Sequence, residues 1–313
     1  MRRILLITLT LLCPLMLSAQ HEIVFTPQWS PQAQFAGFYV AQKKGFYHDA
    51  GLNVRIQHPS TSSNNVRRMK EGKSQIITLQ LPSALRCINE GLPVINVMQQ
   101  FQNNSQVIIS HTPLKSIKDL KGKKVGCWKA GFSELAYIMN HKYQAGIEWV
   151  PYISTINLFI SKAIDATLAQ SYNEYFQLRL AGQKFTGDQL IYLADIGMNI
   201  PEDGVYVTPE YYSQHKSEVD KFVAASRKGW EWAVQHPEET LSIVMEVCQQ
   251  NNINTNLPAQ RWMLQQVIKL MVDKKSGKRT YRLSPDSFQQ LANMMFDNGF
   301  LKNKITYQQI TQP

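Results

Sequence analysis

Residues 27–56 read PQWSPQAQFAGFYVAQKKGFYHDAGLNVRI and directly follow the β-rich run IVFT at residues 23–26. Two prolines flank Trp29 and keep this part of the chain extended or turned. Aromatic residues and alanines from Phe35 onward recur at helical spacing, glycines end the helix and the turn, and residues 52–56 alternate as a strand does. The stretch therefore predicts one βαβ unit with parallel strands. Ligands bind beyond the carboxyl ends of the strands in open α/β sheets, so Trp29 is a candidate ligand contact in a cleft.

The pattern W-x-P-x-A-x-F-A-G-F-Y-V-A-x-x-K-G-F-Y-x-x-x-G-L-x-V, residues 29–54, resembles the start of a family of periplasmic solute-binding proteins. This is the SsuA-like and thiamine-pyrimidine-synthase-like family. The resemblance continues at residues 116–126 (SIKDLKGKKVG), 162–169 (KAIDATLA) and 199–208 (NIPEDGVYVT). It implies an α/β fold of the type-2 periplasmic-binding-protein class, with two Rossmann-like lobes joined by a two-strand hinge.

The same resemblance divides the chain that follows a predicted signal peptide (residues 1–19) into lobe 1 at residues 20–107 and 204–313 and lobe 2 at residues 108–203. The β-rich segment at residues 93–109 predicts one long strand that passes into the hinge, with the first crossing near residues 104–109. The second crossing is expected at residues 195–203. The rest of the chain has amphipathic helical spacing, and we expect its tryptophans, Trp230, Trp232 and Trp262, to pack in the core.

Polar and aromatic residues follow the predicted strands of both lobes, and the resemblance places these loops at the cleft. We expect Trp29 and Trp128 to face each other as a clamp, because a planar heterocycle stacks favourably on aromatic faces. The carboxylate of Glu174 could accept hydrogen bonds from an exocyclic amine and a protonated ring nitrogen together, and a buried carboxylate needs such a donor-rich partner. Alternatively, residues 60–64 form only a helix cap, and Glu174 only favours a helix dipole. The predicted ligand-binding residues are Trp29, Gln34, Ser60, Thr61, Ser62, Asn64, Gln80, Trp128, Phe132, Tyr172, Asn173 and Glu174.

The N-terminus has the pattern of a cleaved secretory signal. Arg2 and Arg3 precede a mainly apolar run at residues 4–17, and Ala19 precedes a polar segment. The apolar run is shorter than the ~18 residues expected of a spanning helix. We therefore expect a periplasmic protein that is cleaved after Ala19.

Composition favours no nucleic-acid or metal chemistry. The formal net charge is +10, about +8 without Arg2 and Arg3, and the basic residues form small interrupted clusters that are typical of a solvated surface. Three widely spaced cysteines remain after cleavage and do not form a disulfide framework. The seven histidines include no i, i+4 pair. We expect a monomer without a metal, a cofactor or a nucleic-acid partner.

The sequence favours a binding protein over an enzyme. The fungal thiamine pyrimidine synthases, which the family includes, carry a Lys and a His near the third strand-end loop and a cysteine-rich iron-binding run. Here the loop at residues 79–83 reads LQLPS, and residues 196–207 contain no cysteine. The sequence thus predicts a solute-binding component that serves an ABC permease and ATPase and closes on a planar nitrogen heterocycle related to a thiamine pyrimidine precursor. A pyrimidine synthase, a binder of sulfonate or nitrate, and a sensing module for a membrane receptor are the alternatives.

Overall fold

The computed structural model describes residues 21–60, 64–128, 134–152 and 156–311. The predicted signal peptide lies outside these ranges, as do Thr61, Ser62 and Phe132. Within them, no helix is both long and apolar enough to span a membrane.

The described residues form two five-stranded sheets. The strands are β1 (Glu22–Thr26), β2 (Asn53–Ile56), β3 (Ile76–Gln80), β4 (Ile95–Gln99), β5 (Gln106–Ser110), β6 (Lys124–Trp128), β7 (Glu148–Tyr152), β8 (Ala166–Gln170), β9 (Leu190–Tyr192) and β10 (Asp203–Val207). The first sheet has the order β2-β1-β3-β10-β4, and the second has the order β7-β6-β8-β5-β9. In each sheet the first three strands of this order are parallel, and the fourth is antiparallel to them. The fourth strand is β10 in the first sheet and β5 in the second, and each follows a segment that connects the two sheets.

Helices cover the faces of both sheets. They are α1 (Ala36–Lys43), α2 (Phe46–Asp49), α3 (Asn65–Lys70), α4 (Leu81–Asn89), α5 (Glu134–Tyr143), α6 (Asn157–Ile160), α7 (Glu174–Leu180), α8 (Pro209–Gln235), α9 (Pro237–Gln250), α10 (Leu257–Leu270), α11 (Pro285–Asp297) and α12 (Tyr307–Ile310). The expected mixed α/β architecture with two Rossmann-like halves is confirmed.

The opening stretch forms the predicted βαβ unit. β1 and β2 are parallel, with Ile23 opposite Val54 and Phe25 opposite Ile56. Between them, α1 packs on α8 so closely that a Cβ at Gly37 would lie 2.3 Å from the ring of Trp230. A Cβ at Gly229 would lie 2.1 Å from the carbonyl oxygen of Gly37. The glycine in the motif F-A-G-F-Y is therefore required by this helix crossing, since real Cβ contacts are never so short.

Three buried apolar clusters hold the two halves. Ile76 belongs to the cluster under α1, α8, α9 and α10, whereas its neighbour Ile77 belongs to a second cluster on the opposite face. That second cluster continues into the second sheet, where it includes Ile108. Val107 and Ile109 point to the third cluster. This alternation follows from the two-residue repeat of a strand, and the second cluster ties the two sheets together on the hinge side.

Two segments, residues 100–105 and 197–202, connect the sheets and have no regular secondary structure. The prediction of one long strand at residues 93–109 is wrong, because β4 ends at Gln99 and β5 begins at Gln106. Side-chain hydrogen bonds join the two segments: the Asn104 backbone N–H donates to Asn199 Oδ1 (2.9 Å), and Asn199 Nδ2 donates to Asn103 Oδ1 (3.0 Å). The predicted lobe limits lie within two residues of the starts of β5 and β10, and the division into lobes stays a prediction.

The three C-terminal tryptophans lie in different surroundings. Trp230 is completely buried, as expected of a core residue. Trp232 is half-buried against the first cluster. Trp262, on α10, was expected in the core, but it bridges to α7: its Nε1 donates to the carbonyl oxygen of Ser171 (2.9 Å), and its ring stacks on Phe176 at 4.9 Å. That expectation was wrong because α10 of the first half packs against α7 of the second, a contact that helical periodicity cannot show.

Candidate functional site

A cleft lies between the two sheets, at the carboxyl ends of the parallel strands. Its inner part encloses about 30 Å³, room for one or two water molecules, and it widens into an outer part of about 460 Å³. The inner lining joins residues that follow β1 to residues that end β6 and β8. These are Gln28, Trp29, Gln32, Gln34, Trp128, Gln170, Tyr172, Asn173 and Glu174.

The two expected tryptophans meet in this lining, but not as a parallel clamp. The rings of Trp29 and Trp128 are edge-to-face, with centroids 5.5 Å apart and an interplanar angle of 78°. A ring sandwiched between them would need roughly 7 Å, twice the ~3.5 Å of aromatic van der Waals contact. In this conformation the tryptophans contact each other, so a stacked ligand requires them to separate or one of them to rotate.

Glu174 begins α7 just after β8 and is almost completely buried. Its Oε2 accepts the backbone N–H of Gln170 (2.7 Å), and its Oε1 accepts Nδ2 of Asn173 (2.9 Å). Burial in low dielectric outweighs these hydrogen bonds and raises the pKa of Glu174 to about 7. The carboxyl group therefore lies close to its protonation midpoint at neutral pH.

Asp203, at the first residue of β10, is a second buried carboxylate that sequence reasoning missed. Its Oδ1 accepts Nε2 of Gln28 (2.7 Å), and its Oδ2 accepts Nε2 of Gln34 (2.6 Å). Burial raises the pKa of Asp203 to about 7. Gln34 thus lines the cleft with its amide already engaged. The glutamines at positions 28 and 34 were a visible signal, but the carboxylate that they share lies about 170 positions away in the sequence.

Glu202 lies behind the cleft, where the two connecting segments meet. Its Oε1 accepts the backbone N–H of Ser105 (2.9 Å), and its Oε2 accepts the hydroxyl of the same residue (2.8 Å). Burial, with a smaller contribution from the negative charge of Asp203, raises the pKa of Glu202 to about 8.

Glu174 lines the cleft, and the two other carboxylates, Asp203 and Glu202, are buried next to that lining. They accept their hydrogen bonds from neutral donors, and none of them is ion-paired in the part of the chain that the structure describes. Neither part of the cleft has a lysine, arginine or histidine among its described lining residues. Lys129 lies outside the described ranges. Buried carboxylates without cations favour a partner that is cationic or rich in donors.

Three other predicted site residues, Gln80, Asn64 and Ser60, are not among the residues that line the cleft. Gln80 is buried at the end of β3, opposite Asp203 in the sheet, and its Nε2 has no hydrogen-bond partner among the described residues. Asn64 caps α3, because its side chain accepts the backbone N–H of Arg67 (2.8 Å), and its role in ligand binding stays a prediction. Ser60 is exposed. Thr61, Ser62 and Phe132 fall outside the described ranges.

The NMT1/THI5-like family model matches residues 32–240, about two thirds of the chain. The chain belongs to this family. The matched region contains the α1 motif, both connecting segments and every described residue of the inner cleft except Gln28 and Trp29.

Curated relatives of this family member include two named binding proteins. The riboflavin-binding protein RibY of Chloroflexus aurantiacus is 25% identical over 258 residues, which cover 79% of this chain and 72% of that protein. The formylaminopyrimidine-binding protein of Halalkalibacterium halodurans is 21% identical over 266 residues, which cover 79% of this chain and 75% of that protein.

Solved structures show the same fold. The periplasmic aliphatic sulphonate binding protein SsuA of Escherichia coli matches with a TM-score of 0.67 and 14% identity, over 93% of this chain and 92% of that one. The family member described here therefore has the fold of periplasmic solute-binding proteins.

Proposed function

We propose that this chain is the periplasmic solute-binding component of an ABC importer and that it binds a small planar nitrogen heterocycle, such as a thiamine pyrimidine precursor. The observation that carries the proposal is Glu174, a buried carboxylate without a cation, in a cleft lined by Trp29, Trp128 and Tyr172. Two relatives are named for the ligands riboflavin and formylaminopyrimidine, and they support the same ligand class, because both ligands are planar nitrogen heterocycles.

An aminopyrimidine matches the chemistry of Glu174. Its exocyclic amine and protonated ring nitrogen present two parallel donors, and a carboxylate has two oxygens that can accept them. Because the pKa of Glu174 is near 7 without ligand, the proton that the ring needs is available locally at neutral pH. The aromatic side chains then supply stacking on the ring faces.

The described lining argues against an anionic ligand. A sulfonate or nitrate would bring a further negative charge beside Glu174 and Asp203, with no described basic side chain to offset it. The residues themselves argue against the synthase alternative. α4 begins at Leu81 directly after β3 ends at Gln80, and residues 79–83 contain neither a lysine nor a histidine. We therefore propose binding without catalysis.

Hinge closure is the proposed binding mechanism. Lobe 1 (residues 20–107 and 204–313) and lobe 2 (residues 108–203) would move about residues 100–105 and 197–202. The Trp262 hydrogen bond to Ser171 joins α10 to the start of the segment that bears Glu174, and in this proposal it favours the closed form that contacts the ligand. The closed form would then engage the permease, with the chain exported by its predicted signal peptide.

A ligand screen tests the proposal. Thermal-shift and calorimetric titrations should include aminopyrimidines, thiamine, riboflavin, alkanesulfonates and pyridoxal phosphate. We expect an aminopyrimidine to bind and Glu174→Gln to weaken it at least tenfold, because a hydrogen bond to a charged group contributes about 1.5–3 kcal/mol and 1.4 kcal/mol is tenfold in affinity. Glu148→Gln, an exposed glutamate on β7, is the matched control.

Three results would count against it. A response to sulfonates alone would refute the heterocycle, and full aminopyrimidine affinity in Glu174→Gln would remove that residue from its assigned role. Turnover with iron and pyridoxal phosphate would refute binding without catalysis.

A further inference from the structure

Three side chains with metal-ligand chemistry meet far from the cleft. They are His21, just before β1, and His215 and Glu218 on α8. Nδ1 of His215 lies 3.0 Å from Oε2 of Glu218, and Nδ1 of His21 lies 3.8 Å from the same oxygen. One candidate ligand atom from each residue lies within 4.8 Å of the others.

The fold itself brings these residues together. β10 is antiparallel to β3, which is parallel to β1, so β10 ends at the edge of the sheet where β1 begins. α8 starts two residues later, and His215 and Glu218 are three residues apart on one face of it. The five residues of β1 span roughly 13 Å, so the cluster and the cleft lie at opposite ends of that strand.

The spacing suits a tetrahedral ion. Zinc binds histidine nitrogen and carboxylate oxygen at about 2.0–2.2 Å, which places ligand atoms roughly 3.3–3.5 Å apart. The observed 3.0 and 3.8 Å bracket that value. The side chains are one third to one half exposed, so small side-chain rotations can adjust these N–O distances by a few tenths of an ångström. A water molecule can complete the coordination.

Neighbouring rings hold the two imidazoles in place. The rings of His21 and His215 stack at 5.3 Å, and Tyr211 stacks on His215 at 4.5 Å. α8 also leaves helical geometry at His215 (φ −127°, ψ 29°), although neither proline nor glycine lies there. A surface hydrogen bond between His215 and Glu218 would need neither His21 nor this packing.

We propose that His21, His215 and Glu218 bind one divalent transition-metal ion of the zinc class. Two imidazoles and one carboxylate favour Zn²⁺, Cu²⁺ or Ni²⁺, whereas Mg²⁺ and Ca²⁺ prefer all-oxygen sites. Such an ion clips the segment before β1 to α8. The site is independent of the proposed heterocycle cleft.

Equilibrium dialysis with Zn²⁺ tests this site. The protein should carry no histidine tag, and mass spectrometry should show that His21 is retained. We expect one Zn²⁺ per chain and an affinity at least tenfold lower in His215→Ala and in Glu218→Gln. His236→Ala, an exposed histidine that stacks on Trp232, is the control and should bind as the native protein does.

A cobalt spectrum identifies the ligands. Co²⁺ at this site should show d–d bands without thiolate charge transfer, which excludes the buried cysteines Cys87, Cys127 and Cys248. Absence of stoichiometric Zn²⁺, unchanged affinity in His215→Ala, or equal competition by Mg²⁺ would each overturn the proposal.

Discussion

Replacing Glu202 with glutamine is expected to make the stability of the protein fall less steeply as pH rises from 5 to 8. Glu202 is buried at the hinge, and desolvation raises its pKa to about 8 from an ordinary 4.5. A folded-state pKa above the unfolded value means that the folded protein binds the proton more tightly. The contribution to stability is therefore complete below pH 4.5 and is lost as pH rises through 8.

The magnitude follows from the pKa difference. Each unit corresponds to 1.36 kcal/mol, so this one group is expected to lower the free energy of unfolding by about 2 kcal/mol between pH 5 and pH 7. In a protein of this size, that is a fall in Tm of roughly 4 °C. Glutamine keeps an oxygen acceptor for Ser105, imitates the protonated acid and does not titrate.

Urea denaturation at pH 5, 6, 7 and 8, without ligand, measures the effect. Glu210→Gln, an exposed glutamate at the start of α8, removes the same charge outside the hinge and serves as the control. We expect a shallower pH dependence in Glu202→Gln than in the control, with a remaining slope from Asp203 and Glu174, whose pKa values are also raised by burial. Equal slopes in the two variants would show that Glu202 does not carry this proton.

Three further substitutions test the packing described above. Trp262→Phe keeps an aromatic ring but loses the hydrogen bond to Ser171, which contributes about 0.5–1.5 kcal/mol. Titration calorimetry should therefore show a ligand affinity that is two- to tenfold weaker. Unchanged affinity would mean that this contact does not favour closure. Gly37→Ala places a Cβ 2.3 Å from the Trp230 ring, and we expect urea denaturation to show a loss of at least about 1–3 kcal/mol. An unshifted midpoint would contradict the required glycine. Thr208→Ala removes the N-cap of α8 and should cost about 1 kcal/mol, a loss that Thr208→Ser should largely avoid.

Local pattern predicted the first βαβ unit well. Its helix and its parallel strand pair depend on side-chain periodicity and on proline and glycine punctuation, which act over a few residues. The same reasoning joined residues 93–109 into one strand, because both halves are β-rich. The break at residues 100–105 depends on contacts such as the Asn104–Asn199 hydrogen bond, between residues 95 positions apart.

The position of the cleft was predicted in part from the topology of the strands. Trp29, Trp128 and Glu174 follow strands, and strand ends of parallel sheets meet at one edge, so their convergence is a consequence of topology. The edge-to-face contact of the two tryptophans could not be predicted, because ring orientation is set by packing across the cleft. Asn64 caps α3, whereas the ligand role that was predicted for its loop stays a prediction.

The sequence by itself determined the α/β class, the order of the elements and the family to which they belong, since these depend on local periodicity and on contiguous motifs. Only the tertiary structure decided which polar and ionisable side chains meet. Gln28 and Gln34 meet Asp203 across about 170 positions, and His21 meets His215 across 194. Burial and partner choice, which raise the pKa values of the carboxylates and gather the histidines, arise only when distant segments pack together.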